Sequence, residues 1–305
     1  MVFRYEYKNG VWVDLEQPTE EEIRAITHEF GIGERIEAEL LSPTPSPLVA
    51  GEPGTALLIM HFPAHGADEG ETKNQEIDFV VGSHFILTVR YEVVAPLHRL
   101  KKLLETEAFI SGGVNIGTDV LLELLFAHLY TAIRDHMSHS ASRLATVERD
   151  MFDGHERETV RAISDVSREF LHLEAALANQ EEPLLRFLKS LAARNFFGAS
   201  WNERMARIAA ERAQIAHLVR THRAVATELR ETNSALVGAR QNEVMKTLTV
   251  INFIFLPLGL ITWTFAMRTE GMPIVNSPNA FWVMLAVMLA TAGTMTIIAS
   301  RKGWL

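Results

Sequence analysis

The chain has 305 residues, with 29 Lys+Arg against 38 Asp+Glu, a formal net charge of −9 and no cysteine. The missing cysteine excludes disulfides and thiolate metal sites and suits a reducing cytoplasm. Residues 1–200 hold 18 Lys+Arg and 32 Asp+Glu, a balance of −14, whereas the remainder holds 11 and 6, a balance of +5. So acidic a leading part argues against a nucleic-acid partner, which needs a basic face. No Gly-rich phosphate loop, nucleophile motif or HExxH run is present, so neither an enzyme nor an organic cofactor is expected.

The first ten residues, MVFRYEYKNG, are polar and do not resemble a signal peptide. Residues 3–15 alternate as a hairpin with Asn9-Gly10 at the turn. Thr19 and Glu22 have the spacing of a capping box and predict a helix start. The run SPTPSP at 42–47 excludes regular structure, because alternate prolines remove the donors that a helix or ladder needs. TALLIMHF, EIDFVVG and HFILTVRY are rich in β-branched and aromatic residues and predict strands, with ADEGETKN as a polar loop after the first. A helix follows in VAPLHRLKKLLETEAF, and GVNIG at 113–117 is a loop. Strands with interleaved helices give an α/β layered domain over residues 1–117.

Beyond it the period changes. Thr118 to Met151 holds no Gly or Pro, and Leu121, Leu122, Leu125, Leu129 and Ile133 recur at helical spacing, up to a stop at Asp153-Gly154. A second helix is expected from Glu156 to Glu181, with Pro183 starting a third to Arg194. Ser200 and Glu203 form another capping-box pattern, after which no proline occurs until Pro257. One helix of about 65 residues would be near 100 Å long, joining cytosol to bilayer and bending at Pro257.

Its last part is uncharged. Thr247–Met267 and Ala280–Ala299 are apolar runs of the length that crosses about 30 Å of hydrocarbon. The connection, residues 268–279, is short, so the two spans form a hairpin with both long ends on one side. Arg240, Lys246, Arg301 and Lys302 flank that side, while Arg268 and Glu270 offset each other in the loop, which places both termini in the cytoplasm. At about 100° per residue, Asn242, Met245, Thr249, Asn252, Leu256, Gly259 and Trp263 form one stripe. An amide on that stripe needs protein or water beside it. The stripe is either polar glue between helices or the lining of a pore to which several subunits each give one helix.

The run NEVMKTLTVINFIFLPLGLITWTFAM, the EGMP after it and the tail RKGWL resemble the CorA family of divalent-cation channels. The spacing of ITWTFAMRTEGMP is similar to the zinc-associated ZntB branch. The resemblance implies a homopentamer in the inner membrane, with a stalk helix (200–246) continuing into the pore helix (247–267), a second span (280–299) and a basic cytosolic tail (300–305). It makes a divalent metal ion, Mg²⁺ or Zn²⁺, the substrate or regulator. Leu248 and Leu256 are candidates for apolar constrictions that gate by dewetting. Where the family has Gly-Met-Asn at the outer mouth, this chain has Ala266-Met267-Arg268. Arg268 either rings the mouth, which supports a poorly conducting sensor or scaffold, or turns toward lipid phosphates or Glu270 and leaves the pore neutral. In the long helices of 118–199, the pairs Asp135/His139 and Asp165/Glu169 have metal-ligand spacing, with His128, His136 and His172 nearby. Solvated helix faces explain the same spacing. The family's regulatory metal, held by carboxylates between subunits, makes such an acidic pair a candidate.

Overall fold

The strand-forming residues assemble into a mixed six-stranded sheet, order β1-β2-β6-β5-β4-β3. A computed structural model describes residues 1–64, 73–111, 116–153, 156–267 and 279–303. Most of the polar loop ADEGETKN, most of GVNIG, Gly154, Arg268, Glu270 and the last two residues lie outside the described residues. Its strands are β1 (Val2–Tyr7), β2 (Gly10–Glu16), β3 (Leu48–Glu52), β4 (Thr55–Ala64), β5 (Lys73–Val81) and β6 (Phe85–Arg90). All neighbours are antiparallel except β2 and β6, which run parallel. The first turn sits one residue earlier than expected. Tyr7 pairs with Gly10, so Lys8 and Asn9 make the turn and Gly10 opens β2. Gly10 is required there for another reason: a Cβ would lie 2.0 Å from the His84 carbonyl oxygen.

Helices α1 (Glu20–Glu29) and α2 (Glu34–Leu40) cover one face of the sheet. In α1 the capping box forms, Glu22 N donating to Thr19 Oγ1 at 3.2 Å and Thr19 N to Glu22 Oε2 at 3.0 Å. Ile23, Ile26, Ile36 and Leu40 bury against Val13, Leu15, Leu57, Ile59, Val80 and Leu87. Both α2 and β3 are too short to carry a periodic signal of their own in the sequence.

The opposite face carries α3 (Ala95–Ser111), α4 (Thr118–Phe152) and α5 (Glu156–Ala193). Phe79 stacks on Phe126 with centroids 5.1 Å apart. Pro183 does not restart a helix, because α5 passes through it. Leu177, Leu184, Phe187, Leu188 and Leu191 are all fully buried, and that packing outweighs one lost backbone bond. Buried Gln180 donates to the His61 carbonyl at 2.7 Å and accepts from the Tyr130 hydroxyl at 3.3 Å, fixing α5 to β4 and α4.

Under α3 lies a buried charge network. Asp14 and Arg90 are both 0% exposed, with Arg90 Nη2 donating to Asp14 Oδ2 at 3.0 Å. Arg90 also pairs with Glu16, and Lys101 of α3 pairs with Asp14. Thr88 donates to Asp14 Oδ1 at 2.6 Å and accepts from Trp12 Nε1 at 3.0 Å. Two carboxylates and two cations satisfy one another, which is the condition for keeping them in a core.

Helix α6 runs unbroken from Trp201 to Ala266, 66 residues, and passes through Pro257; α7 is Ala280–Arg301. The chain divides into two compact units, Met1–Arg230 and Glu231–Leu305. In the first, α6 is tied to α4 by Arg204, 2.8 Å from Asp119 and 2.6 Å from Glu123, and to α5 by Arg212, which donates to the Leu177 carbonyl at 2.9 Å. Both α6 and α7 contain a stretch long and apolar enough to cross a membrane.

Arg90→Met would leave Asp14 and Glu16 buried with a single cation between them, so it should destabilise by about 3 kcal/mol or more. Arg4→Ala, which breaks an exposed pair with Glu29, should cost under about 1 kcal/mol. Thermal unfolding of the purified chain checks this, and equal falls in midpoint would contradict the reading.

Candidate functional site

The second unit has few ways to bury polarity, so its polar groups are informative. Each described threonine in the apolar runs bonds its own helix. Thr249 Oγ1 donates to the Met245 carbonyl at 2.7 Å, Thr262 to Leu258 at 2.9 Å and Thr264 to Leu260 at 2.7 Å. Thr291, Thr294 and Thr296 do the same four residues back in α7. A threonine so bonded is satisfied without a neighbour. An asparagine amide carries two donors and two acceptor sites, and the Asn252 side chain has no partner among the described residues. It is exposed.

The shielded positions locate the other face. Val250, Ile254, Pro257, Leu258, Ile261 and Phe265 are buried or half-buried and recur at three- and four-residue spacing on α6. On α7 the corresponding set is Met284, Met288, Thr291, Met295 and Ala299. The Thr262 hydroxyl lies 3.9 Å from Met288 Sδ, so the two helices touch through side chains. At about 100° per residue, the stripe of Asn242, Met245, Thr249, Asn252, Leu256, Gly259 and Trp263 is centred roughly 160° away from the shielded positions. Leu256 is 64% and Trp263 70% exposed, Met245 59% and Leu248, on the flank of the stripe, 49%. Asn242, Thr249, Ala266 and Met267 are exposed too, and Gly259 is half-buried. Among the described residues of one chain, the stripe is therefore exposed apart from Gly259.

The candidate metal ligands lie in the first unit. Glu169 is engaged by Arg143 and accepts from Ser140 Oγ at 2.7 Å. Asp165 is half-buried, with Arg168 at 3.8 Å. Asp135, His136 and His139 line a 480 Å³ groove closed on its other sides by Phe62, Gln75 and Arg99. His128 Nδ1 is 3.0 Å from the Leu124 carbonyl, one turn back in α4. Burial lowers the His172 pKa, and its Nε2 is buried without a partner among the described residues. Among the described residues of one chain, no three His, Asp or Glu side chains come together as a metal cage.

The model of the CorA-like Mg2+ transporter protein family matches residues 7–301. The chain belongs to that family. The cobalt/magnesium transport protein CorA of Methanocaldococcus jannaschii is 22% identical over 304 residues, 97% of this chain and 91% of that protein. The cobalt/magnesium transport protein CorA of Thermotoga maritima is 38% identical over 92 residues, 30% of this chain and 26% of its own length. The complete structure of the M. jannaschii CorA magnesium transporter superposes with a TM-score of 0.76, at 21% identity, over 99% of this chain and 93% of that one. The fold is accordingly the CorA fold: a sheet domain, long helices and two apolar C-terminal helices.

If the stripe borders water between subunits, cysteine at 252 should react with small water-soluble thiol reagents and cross-link between chains. Cysteine at 254, on the shielded face, should do neither. The chain has no native cysteine to confuse the measurement, and equal reactivity at both positions would refute the assignment.

Proposed function

We propose that this chain is a divalent-cation transporter of the cell's inner membrane, working as a homopentamer with both termini in the cytoplasm. The observation that carries the reading is the unpartnered Asn252 amide, on a stripe of α6 that faces away from α7, in a chain of the CorA family. Two membrane helices cannot enclose a water path alone, so the path requires copies of the chain, and the count of five comes from the family resemblance. The same reading makes 247–267 and 280–299 the spans, 200–246 the stalk and 268–279 the external loop.

Asn242, Thr249 and Asn252 would give the path neutral oxygens, while Leu248 and Leu256 would narrow it with apolar side chains. Neutral oxygens suit Mg²⁺, which gives up water reluctantly and passes best with part of its shell kept. The family model names Mg²⁺ and two relatives are cobalt/magnesium proteins, which supports a hydrated divalent ion as cargo; Zn²⁺ remains within the same class. Asp135/His139 and Asp165/Glu169 stay candidates for a regulatory metal completed by a neighbouring subunit. Glu169 would first have to leave Arg143.

A second reading rests on Arg268. An asparagine offers a carbonyl oxygen to a hydrated cation, whereas an arginine offers only donors and a fixed charge. With Arg268 toward the axis, the pentamer would conduct poorly and act as a metal sensor or membrane scaffold. We favour the arrangement in which Arg268 pairs with Glu270 or reaches lipid phosphates.

Uptake of Mg²⁺, Zn²⁺, Co²⁺ and Ni²⁺ into proteoliposomes tests both readings. We expect saturable divalent uptake in the native chain, little change in Arg268→Asn and a larger loss in Glu270→Gln, which frees the arginine. A large gain in Arg268→Asn, greatest at low salt where screening is weakest, would favour the sensor reading instead. No uptake by either protein would overturn transport.

A further inference from the structure

The SPTPSP segment, residues 42–47, lacks a backbone donor at every second residue, yet the sheet holds it at Thr44. Thr44 N donates to both oxygens of Glu76, at 2.8 and 3.0 Å, and the Thr44 hydroxyl lies 3.3 Å from Glu76 Oε1. The Thr44 carbonyl faces His61 Nε2 at 2.9 Å, which is itself 3.4 Å from Glu76 Oε2. His61 on β4 is the cross-strand neighbour of Glu76 on β5. Both are largely buried, so their mutual attraction is poorly screened.

Two residues along the same face of β5 lies Asp78, 0% exposed. Its Oδ1 has no hydrogen-bond donor among the described residues. Its Oδ2 is 3.3 Å from the Tyr91 hydroxyl, but that hydroxyl is 2.9 Å from the Leu40 carbonyl. Tyr91 has one hydrogen, and the shorter contact takes it. The Asp78–Tyr91 contact is then a hydrogen bond only if Asp78 carries the proton and donates it. An ionised carboxylate here would be buried with no donor, the costly alternative. Burial first, and then Glu76, hold the Asp78 pKa well above the usual carboxylate range, and the hydrogen bond to Glu76 raises that of His61. The titratable groups facing the cluster are Glu76 and Asp78 of β5, His61 of β4, Tyr91 after β6 and, at longer range, Glu39 of α2.

We propose that His61, Glu76 and Asp78 form a proton-operated latch that seats the 42–47 segment on the sheet, closed with protons on His61 and Asp78 and released as they leave. A neutral His61 loses the charge that holds Glu76 against Thr44. An ionised Asp78 puts a second negative charge beside Glu76 and pushes it off its place. Both groups bind protons more tightly in the closed latch than in water. Closure is therefore strongest at low pH and weakens as pH rises through their raised values.

Hydrogen exchange with mass analysis on the full-length chain in detergent, from about pH 6 to about pH 9, reads the latch directly. Pro43, Pro45 and Pro47 carry no N–H, so a peptide over this segment reports little beyond Thr44 and Ser46. After correction for intrinsic exchange, protection of Thr44 should fall with pH, by roughly tenfold per unit once one proton is lost on opening. Peptides from β6 should keep theirs. Asp78→Asn, which cannot ionise, should retain protection to higher pH. If that variant does not fold, His61→Gln should show the weakly protected, high-pH behaviour already at pH 6. Protection independent of pH in the native chain, or a variant profile that matches the native one, would overturn the proposal.

Discussion

A helix in hydrocarbon satisfies its own backbone and nothing else, and the second unit is shaped by that constraint. In the two apolar runs the described threonines comply by bonding carbonyls one turn back, and the other side chains are nearly all apolar. Asn252 cannot comply, because a back-bonded amide still leaves donors over. Its partner has to come from another helix or from water, and α7 lies on the other side of α6. On the proposed reading, one amide therefore demands oligomerisation more strongly than any apolar patch does. Apolar side chains on a membrane helix gain nothing from leaving lipid, whereas an unpaired amide costs several kcal/mol where it stands.

The first unit solves the reverse problem. It has charge to spare, and it spends part of that charge inside. Asp14, Glu16, Arg90 and Lys101 draw β2, β6 and α3 together under a network with both signs represented. The His61–Glu76–Asp78 cluster on the other face is one cation short. That difference separates a fixed structural element from one whose occupancy depends on pH. A network with two cations balances both of its carboxylates, whereas a carboxyl pair with one histidine does not.

Legibility in the sequence followed the range of the interaction concerned. The Thr19/Glu22 cap, the two apolar runs and the long α6 are local patterns, and the chain spells them out within a few turns. Pro183 misled because a local rule met a non-local fact: the α5 leucines on either side of it are buried against partners far away in sequence. Gly10 has the local spacing of a turn residue, but its need arises from His84, in the bend before β6. The parallel β2–β6 pair and the Asp14–Arg90 contact join residues more than seventy positions apart, which no spacing argument reaches. The Asn252 stripe is visible as a period, but on the proposed reading what it faces belongs to other chains, so neither the sequence nor one protomer would contain that partner.

Charge distribution links the two units on the proposed reading. A path lined by fixed carboxylates would bind a divalent ion tightly and release it slowly, whereas a path of neutral oxygens and leucines releases it but recruits poorly. The chain keeps the two tasks apart. The balance of −14 lies within residues 1–200 and +5 beyond them, and the described part of the Thr247–Met267 run carries no ionisable side chain at all. Repeated around a ring, the acidic part would raise the local cation concentration at long range without placing a ligand in the path. Hydrated ions feel that field through water, so it needs no ordered site. Selectivity would then rest on how much of its water shell an ion must surrender at Asn252 and Leu256, a property of the assembled ring and not of any single side chain.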